Sequence, residues 1–230
     1  MSNTSAPSPR IERASLRRAG TLFVLLAWCA FLILGRWAWS GHRAFGFLAW
    51  NLFLAAVPAF ASTVLGYSHR RRHPRVLLWA WGALWLAFLP NAPYIVTDLV
   101  HFQYRPPVPL WFDIALMVSA VGTGLLLGYA STAEVQRVVS ERRGRVMGWA
   151  VACGALLLSG FGIYLGRFMR WNSWDVVTSP ERLFGALAAH AGDPSLHART
   201  VAVTLIYGVG VMLGYLGLKL AVPSVDSAHD

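Results

Sequence analysis

The chain has 230 residues, of which 56% are hydrophobic and only 13% are charged, about half the charged share of an ordinary soluble domain. This composition lacks the polar residues that cover a water-soluble fold, so it excludes a soluble globular enzyme and a disordered chain. The net charge of +10 would suggest nucleic acid in a soluble protein. In so apolar a chain it indicates membrane topology instead, and we predict no nucleic-acid partner.

Six apolar runs approach the length of about 20 residues that a helix needs to cross a bilayer. The first run is Thr21–Leu34, and Trp37 and Trp39 follow its far end. Because no small-residue cleavage site comes directly after it, we interpret it as an uncleaved membrane helix and not as a signal peptide. The other crossings are predicted over Ala44–Tyr67, Val76–Leu89, Leu110–Ala130, Val146–Phe168 and Val201–Leu220. The sequence thus predicts an all-α bundle of six transmembrane helices over residues 20–221, with tails at 1–19 and 222–230.

The third crossing is short, because Pro90-Asn91-Ala92-Pro93 breaks its apolar run after fourteen residues. We expect it to continue as a kinked segment from Tyr94 to about Phe102. Such a break at membrane depth is tolerated only where protein or water satisfies the freed backbone groups.

The arginines are unevenly divided between alternate loops. Four lie in the N-terminal tail, four in the loop 68–75 and four in the loop 131–145, and Lys219 ends the last crossing. Because positive residues collect on the cytoplasmic side, we predict that both termini are cytoplasmic. The run Arg70–Arg75 is then interpreted as an ordinary inner loop, and a patch that binds phosphoinositide lipid or nucleic acid is the alternative. Arg36, at the outer end of the first crossing, is expected to snorkel to water.

A polar stripe begins at the break in the third crossing. Its members are spaced 3, 4, 3 and 4 residues apart and would share one face of a helix. They are Asn91, Tyr94, Asp98, His101 and Arg105. Asp98 and His101 are candidate catalytic residues, since a carboxylate can orient an imidazole and raise its basicity. A polar seam between helices and a metal site remain the alternatives, although two ligands do not make a metal site.

A second polar cluster follows the fifth crossing. Arg167 and Arg170 lie three residues apart, a suitable spacing for a fork that binds phosphate or carboxylate, and Asn172 and Asp175 follow them. With Asn91 and Tyr94, these four are predicted to bind substrate. Alternatively, the arginines snorkel to lipid headgroups.

Asp113, in the first turn of the fourth crossing, allows two interpretations. The helix dipole stabilises a carboxylate at this position. Alternatively, Asp113 faces the same outer cavity, binds substrate there and pairs with Arg167 or Arg105.

Small residues four apart occur as Gly124/Gly128, Gly162/Gly166 and Gly210/Gly214. Such pairs let helix backbones approach closely, either inside the bundle or in a homo-oligomer. The segment Glu181–Ala191 has helical spacing after Ser179-Pro180 and is too short to span. It is expected to lie on the outer interface or to cap the bundle.

The chain contains no Walker A, GxSxG, HExxH, EF-hand or Rossmann fingerprint, so the cofactor is unknown and no metal is assigned. Three functions fit these features. The first is a membrane-embedded enzyme or binding protein for an anionic, lipid-linked or phosphorylated molecule. The second is a small proton-coupled permease using Asp98 and Asp113, which the shortage of polar residues in the inner half disfavours. The third is a structural or assembly partner of other membrane proteins.

The segments FLPNAPYIVTDLVHF, PLWFD and GFGIYLGRFMRWNSWDV resemble the hallmark segments of an uncharacterised bacterial membrane family, domain of unknown function 1361. The resemblance runs from about Leu48 to Gly217. It implies a multi-spanning protein of the bacterial plasma (inner) membrane, whose partner is the lipid bilayer, and it implies no established activity.

Overall fold

The computed structural model describes residues 9–191 and 194–221, and every regular element in those two stretches is helical. The tails predicted at 1–19 and 222–230 lie partly or wholly outside them. The long helices are α1 (Pro9–Ser40), α2 (Phe47–Arg70), α3 (Arg75–Phe88), α5 (Leu110–Arg143), α6 (Arg145–Phe168) and α9 (Pro194–Ala221). The short ones are α4 (Asn91–Tyr94), a 3₁₀ helix (Ile95–His101), α7 (Asp175–Thr178) and α8 (Pro180–Ala191).

Six helical stretches are long and apolar enough to cross a membrane. They are Arg17–Ser40, Gly46–Arg70, Arg75–His101, Leu110–Arg143, Arg145–Phe168 and His197–Ala221. The prediction of an all-α membrane bundle with six crossings is therefore confirmed, and the chain is a multi-pass membrane protein. In the bundle, α5 packs against α1, α2 and α6, while α9 packs mainly against α6.

The fourth crossing is longer than predicted. The inner loop expected over residues 131–145 is wrong, because α5 continues to Arg143 and only Gly144, at φ +92°, separates it from α6. The extension is helical because its polar residues find partners inside the protein: the Tyr215 hydroxyl donates to Gln136 Oε1 at 2.5 Å. The polar composition of residues 131–143 was therefore not sufficient to predict a loop.

The break in the third crossing is confirmed. Helix α3 ends at Phe88, and α4 and the 3₁₀ helix carry the chain on to His101. Proline at 90 and 93 removes two backbone donors, and the remaining turns close through local bonds such as Tyr94 N–H to Pro90 O at 3.0 Å. Because a 3₁₀ helix has about three residues per turn, Asp98 and His101 lie on one face.

Two of the predicted glycine pairs hold this broken segment in place. A Cβ atom at Gly124 would lie 2.8 Å from the Ala92 carbonyl oxygen, and one at Gly128 would lie 3.0 Å from the Ala92 Cβ. On α6, Gly162 faces Pro90 in the same way, and a Cβ added at Gly166 would lie 3.1 Å from the ring of Tyr94. These glycines therefore serve packing within the chain.

The two glycines of the third pair, Gly210 and Gly214, have different surroundings. Gly214 faces the hydroxyl of Tyr129, whereas Gly210 has no atom within 4 Å of its Cβ position. A homo-oligomer that forms through these glycine faces stays a prediction. Of the six glycines, only Gly210 has no neighbouring atom within 4 Å of its Cβ position. Another close approach of two long helices uses glycines outside those motifs: Gly160 of α6 meets Gly208 of α9, where an added Cβ on Gly160 would lie 2.6 Å from the Gly208 nitrogen.

A buried ion pair joins α1 to α5. Arg36 Nε donates to Asp113 Oδ1 at 2.6 Å and Arg36 Nη2 donates to Oδ2 at 3.1 Å, and the two side chains are 1% and 0% exposed. The expectation that Arg36 snorkels to water is therefore wrong. The alternative in which Asp113 pairs with Arg167 or Arg105 is also wrong, because the partner of Asp113 in the structure is Arg36.

Candidate functional site

A cavity of about 470 Å³ opens at the end of the bundle where α2 begins and α6 ends; we call it the first cavity. Its wall is formed by the start of α2, by α4 and the 3₁₀ helix with the segment after it, and by the last turn of α6. The lining residues are Phe47, Asn51, Tyr94, Asp98, His101, Gln103, Arg105 and Arg167. The two polar clusters seen in the sequence thus meet in one place.

Asp98 forms the buried side of the first cavity. Its side chain is 2% exposed, and Asn51 of α2 donates a hydrogen bond from Nδ2 to Asp98 Oδ2 at 2.7 Å. Arg167, of the last turn of α6, lines the same cavity. A buried charge needs such partners, since an unpaired carboxylate in an apolar interior is costly.

His101 and Arg167 contact each other across the first cavity. Arg167 Nη1 lies 2.9 Å from His101 Nε2. A guanidinium can only donate, so this bond requires the ring nitrogen to accept and the imidazole to be neutral. The ring of Phe47 packs edge-on against the same imidazole, with centroids 5.8 Å apart. The histidine is therefore fixed from two sides, and its Nε2 lone pair is engaged by the arginine.

Arg105 is linked to the buried ion pair through an aromatic ring. The guanidinium carbon of Arg105 lies 5.7 Å from the centroid of Phe45, and that of Arg36 lies 4.7 Å from the same ring. Phe45 is buried and has a φ of +59°, an unfavourable backbone conformation for a bulky residue. Arg105, a lining residue of the first cavity, thus contacts the same aromatic ring as the arginine of the buried ion pair.

Four of the residues predicted as site residues line the first cavity: Tyr94, Asp98, His101 and Arg167. The others lie outside its lining. Asn91 turns to the second cluster instead, donating from Nδ2 to Ser173 Oγ at 2.8 Å and to the Phe88 carbonyl oxygen at 3.0 Å. The bond to Ser173 joins the broken third crossing to the segment after α6. Asn91 therefore helps to position the segment that carries Tyr94 and Asp98.

Asn172 and Asp175 form a local turn. The backbone N–H of Asn172 donates to Asp175 Oδ2 at 2.7 Å, and its side-chain amide donates to the same oxygen at 3.3 Å. Each oxygen of Asp113 accepts one hydrogen bond from Arg36. For these three residues the observed contacts are internal, and a role in binding substrate stays a prediction.

Arg170 lies at the end of α6 in a left-handed backbone conformation, with φ +58°, and Trp171 N–H donates to the Leu165 carbonyl oxygen at 3.1 Å. This is the position where helices usually place glycine. We expect Arg170→Gly to raise the free energy of unfolding by roughly 0.5–1 kcal/mol, because a bulky residue is strained there. Thermal unfolding in detergent measures it, with Arg182→Gly as the control that should not stabilise. A lower melting temperature would show that the Arg170 side chain makes a stabilising contact.

Three lining residues were missed in the sequence: Phe47, Asn51 and Gln103. Asn51 carried a signal, since it is an amide within an otherwise apolar crossing, and polar groups at membrane depth are candidates by default. Phe47 and Gln103 carried none. Among the described residues, no group of three or more His, Cys, Asp and Glu side chains is placed to hold a metal ion.

The family model described as "Protein of unknown function (DUF1361)" matches residues 50–213, which is more than half of the chain. The chain belongs to this family. Neither a curated protein nor a solved structure matches this chain. All the lining residues of the first cavity except Phe47 fall inside the region matched to DUF1361, whereas Arg36 and Phe45, which support Arg105, precede it.

Proposed function

We propose that this DUF1361 protein binds, and by acid–base chemistry processes, an anionic molecule carrying a phosphate or a similar oxyanion in the first cavity. The observation that carries the proposal is the joint presence of Arg105, Arg167, Asp98 and His101 in one cavity of about 470 Å³. That volume is within the range of small-molecule sites. Two arginines against one carboxylate give the lining a positive excess that favours an anion.

The contact between Arg167 and His101 supports a coupled step. An oxyanion entering the first cavity is a better acceptor for a guanidinium than a neutral imidazole is, because charge-assisted hydrogen bonds are about twice as strong as neutral ones. When Arg167 turns to the anion, Nε2 of His101 becomes free to accept a proton. Binding of the anion would thus release the base, while Asp98, held by Asn51, supplies the negative charge that stabilises the resulting imidazolium.

A proton-coupled permease is the second candidate, and one observation favours it. A second cavity, lined by residues of α1, α2 and α5 that include Arg18, Ser62 and Glu134, lies at the opposite end of α2. Between the two cavities the helices pack through buried apolar side chains of α2 and α5, among them Leu52, Ala55, Met117 and Ala120. Transport would require this apolar layer to open, so binding and processing is the better supported function.

The test uses Asp98→Asn and Arg167→Lys, each expected to abolish complementation of a deletion strain at an unchanged protein level. In detergent, the rise in melting temperature caused by a fixed concentration of pyrophosphate is expected to be smaller in Arg167→Lys, since lysine cannot reproduce the planar fork of arginine. Removing one charge-assisted bond should weaken binding of the probe about tenfold or more.

Arg43→Lys is the matched control, because Arg43 is exposed and is not among the lining residues of the first cavity. It should complement fully and keep the response to pyrophosphate. Full complementation by both test variants would leave only a structural or assembly role. Proton uptake into proteoliposomes on addition of the anion, lost in Asp98→Asn, would favour the permease.

A further inference from the structure

The second cavity has a volume of about 240 Å³ and is lined by three arginines and one glutamate, together with small and apolar residues. Its lining residues are Arg18, Ala19, Leu22, Ala59, Ser62, Thr63, Arg70, Ala130, Ser131, Glu134 and Arg137. It lies between α1, α2 and α5, at the arginine-rich end of the bundle. The proposed activity of the first cavity does not use it.

Within this cavity, the charge of Glu134 is already balanced by one arginine. Arg137 donates to both of its oxygens, from Nη2 to Oε1 at 2.6 Å and from Nε to Oε2 at 3.2 Å. Arg137 also bonds to Glu141, from Nη1 at 2.5 Å. A single guanidinium, fixed in its geometry by these bonds, therefore contacts both carboxylates.

The other two arginines are less committed. Arg70 donates once to Glu134, from Nη1 at 3.2 Å. Arg18 approaches the same carboxylate only to 3.8 Å, beyond hydrogen-bond distance, and its side chain is 63% exposed. A guanidinium has five N–H donors, so most donors of Arg18 and Arg70 are available to an incoming acceptor. Arg18 of α1 and Arg70 of α2 thus both approach the carboxylate of Glu134.

Four further lining residues are apolar: Ala19 and Leu22 of α1, Ala59 of α2 and Ala130 of α5. The other three, Ser62, Thr63 and Ser131, carry hydroxyls, and each of these donates to a carbonyl oxygen of its own helix. A molecule that fits both parts has an anionic head and a hydrocarbon body. Basic pockets between transmembrane helices bind the headgroups of acidic lipids for this reason. A free phosphate shares the anionic chemistry and would use only the arginine part.

We propose that the second cavity binds the phosphate group of an acidic phospholipid, with Arg18 and Arg70 as its ligands and the apolar lining against its acyl chain. The lipid phosphate takes a position beside Glu134, where it satisfies the two arginines that the single carboxylate leaves underused. Arg137 holds Glu134 in place and does not need to contact the lipid.

The test measures lipids retained by the detergent-purified protein, by native mass spectrometry after incubation with phosphatidylglycerol or phosphatidylcholine. We expect preferential retention of phosphatidylglycerol, about tenfold weaker in Arg18→Gln because one charge-assisted contact is lost. Arg75→Gln is the matched control: Arg75 is exposed, begins α3 and does not line the cavity. It should retain phosphatidylglycerol like the unchanged protein.

Glu134→Gln distinguishes a lipid site from an ion-pair network that only stabilises the fold. With the carboxylate neutralised, Arg18 and Arg70 lose the negative charge of Glu134 while Arg137 keeps Glu141, so retention of phosphatidylglycerol should rise and the lipid should restore the melting temperature. Equal retention of the two lipids, or equal effects of Arg18→Gln and Arg75→Gln, would overturn the proposal. Stabilisation by inorganic phosphate without any lipid preference would establish an oxyanion site and overturn the lipid assignment.

Discussion

Replacing Arg36 by methionine is expected to lower the free energy of unfolding by about 3–5 kcal/mol, which is the cost of leaving a buried charge unpaired. The side chains of Arg36 and Asp113 are almost fully buried, and each Asp113 oxygen accepts one hydrogen bond from the guanidinium. The methionine keeps the volume of the arginine stem but leaves the carboxylate without a partner in the interior. Thermal and denaturant unfolding in detergent measure the loss.

The double variant Arg36→Met with Asp113→Leu separates the ion pair from simple packing. Removing both charges takes away the unpaired group, so most of the lost stability should return. If the double variant is as unstable as Arg36→Met alone, the pair stabilises through its shape and not through its charge. Arg43→Met, at an exposed arginine in the connection between α1 and α2, should change little.

Replacing Gly160 by alanine is expected to destabilise the packing of α9 on α6 by about 1–3 kcal/mol. The added methyl group would overlap the Thr204 carbonyl oxygen and lie 2.6 Å from the Gly208 nitrogen. Both obstacles are backbone atoms of α9, so no side chain can move aside and the helices must separate. Alanine is also the better helix former, which makes a loss of stability informative.

Gly154→Ala is the matched control on the same helix, because nothing lies within 4 Å of its Cβ position. It should leave the melting temperature unchanged or raise it slightly. Gly208→Ala tests the crossing from the other side, where the methyl group would lie 2.7 Å from the Leu157 carbonyl oxygen. Equal melting temperatures for Gly160→Ala and Gly154→Ala would mean that the two helices are not held at this distance.

The crossings were predictable because they depend on composition along the chain. An apolar run of sufficient length must form a helix in a bilayer, and a Pro-Asn-Ala-Pro sequence must interrupt one. The extension of α5 to Arg143 was not predictable in this way, since its stability comes from contacts such as Tyr215 with Gln136, which lie 79 residues apart. Charge-rich composition there indicated a loop when the helix in fact continues.

The site was predictable only as a set of residue types. The spacing of Tyr94, Asp98 and His101 indicated one polar face, and the structure adds Arg167 from the second cluster. The partners depend on how each helix is rotated about its axis and on which helices are neighbours. A sequence of apolar crossings does not encode those rotations locally, so Asn51 as the partner of Asp98 and Arg36 as the partner of Asp113 could not be identified.

The broken third crossing packs against glycines of α5 and α6, and this packing has a consequence for the order of membrane insertion. Along the chain, Asn51, the partner of Asp98, precedes the third crossing, whereas the glycine faces that contact Pro90 and Ala92 follow it and enter the membrane later. Arg167 arrives only with the fifth crossing. The first cavity is therefore complete only in a chain inserted through α6; before that step it lacks Arg167 and the contact between Arg167 and His101.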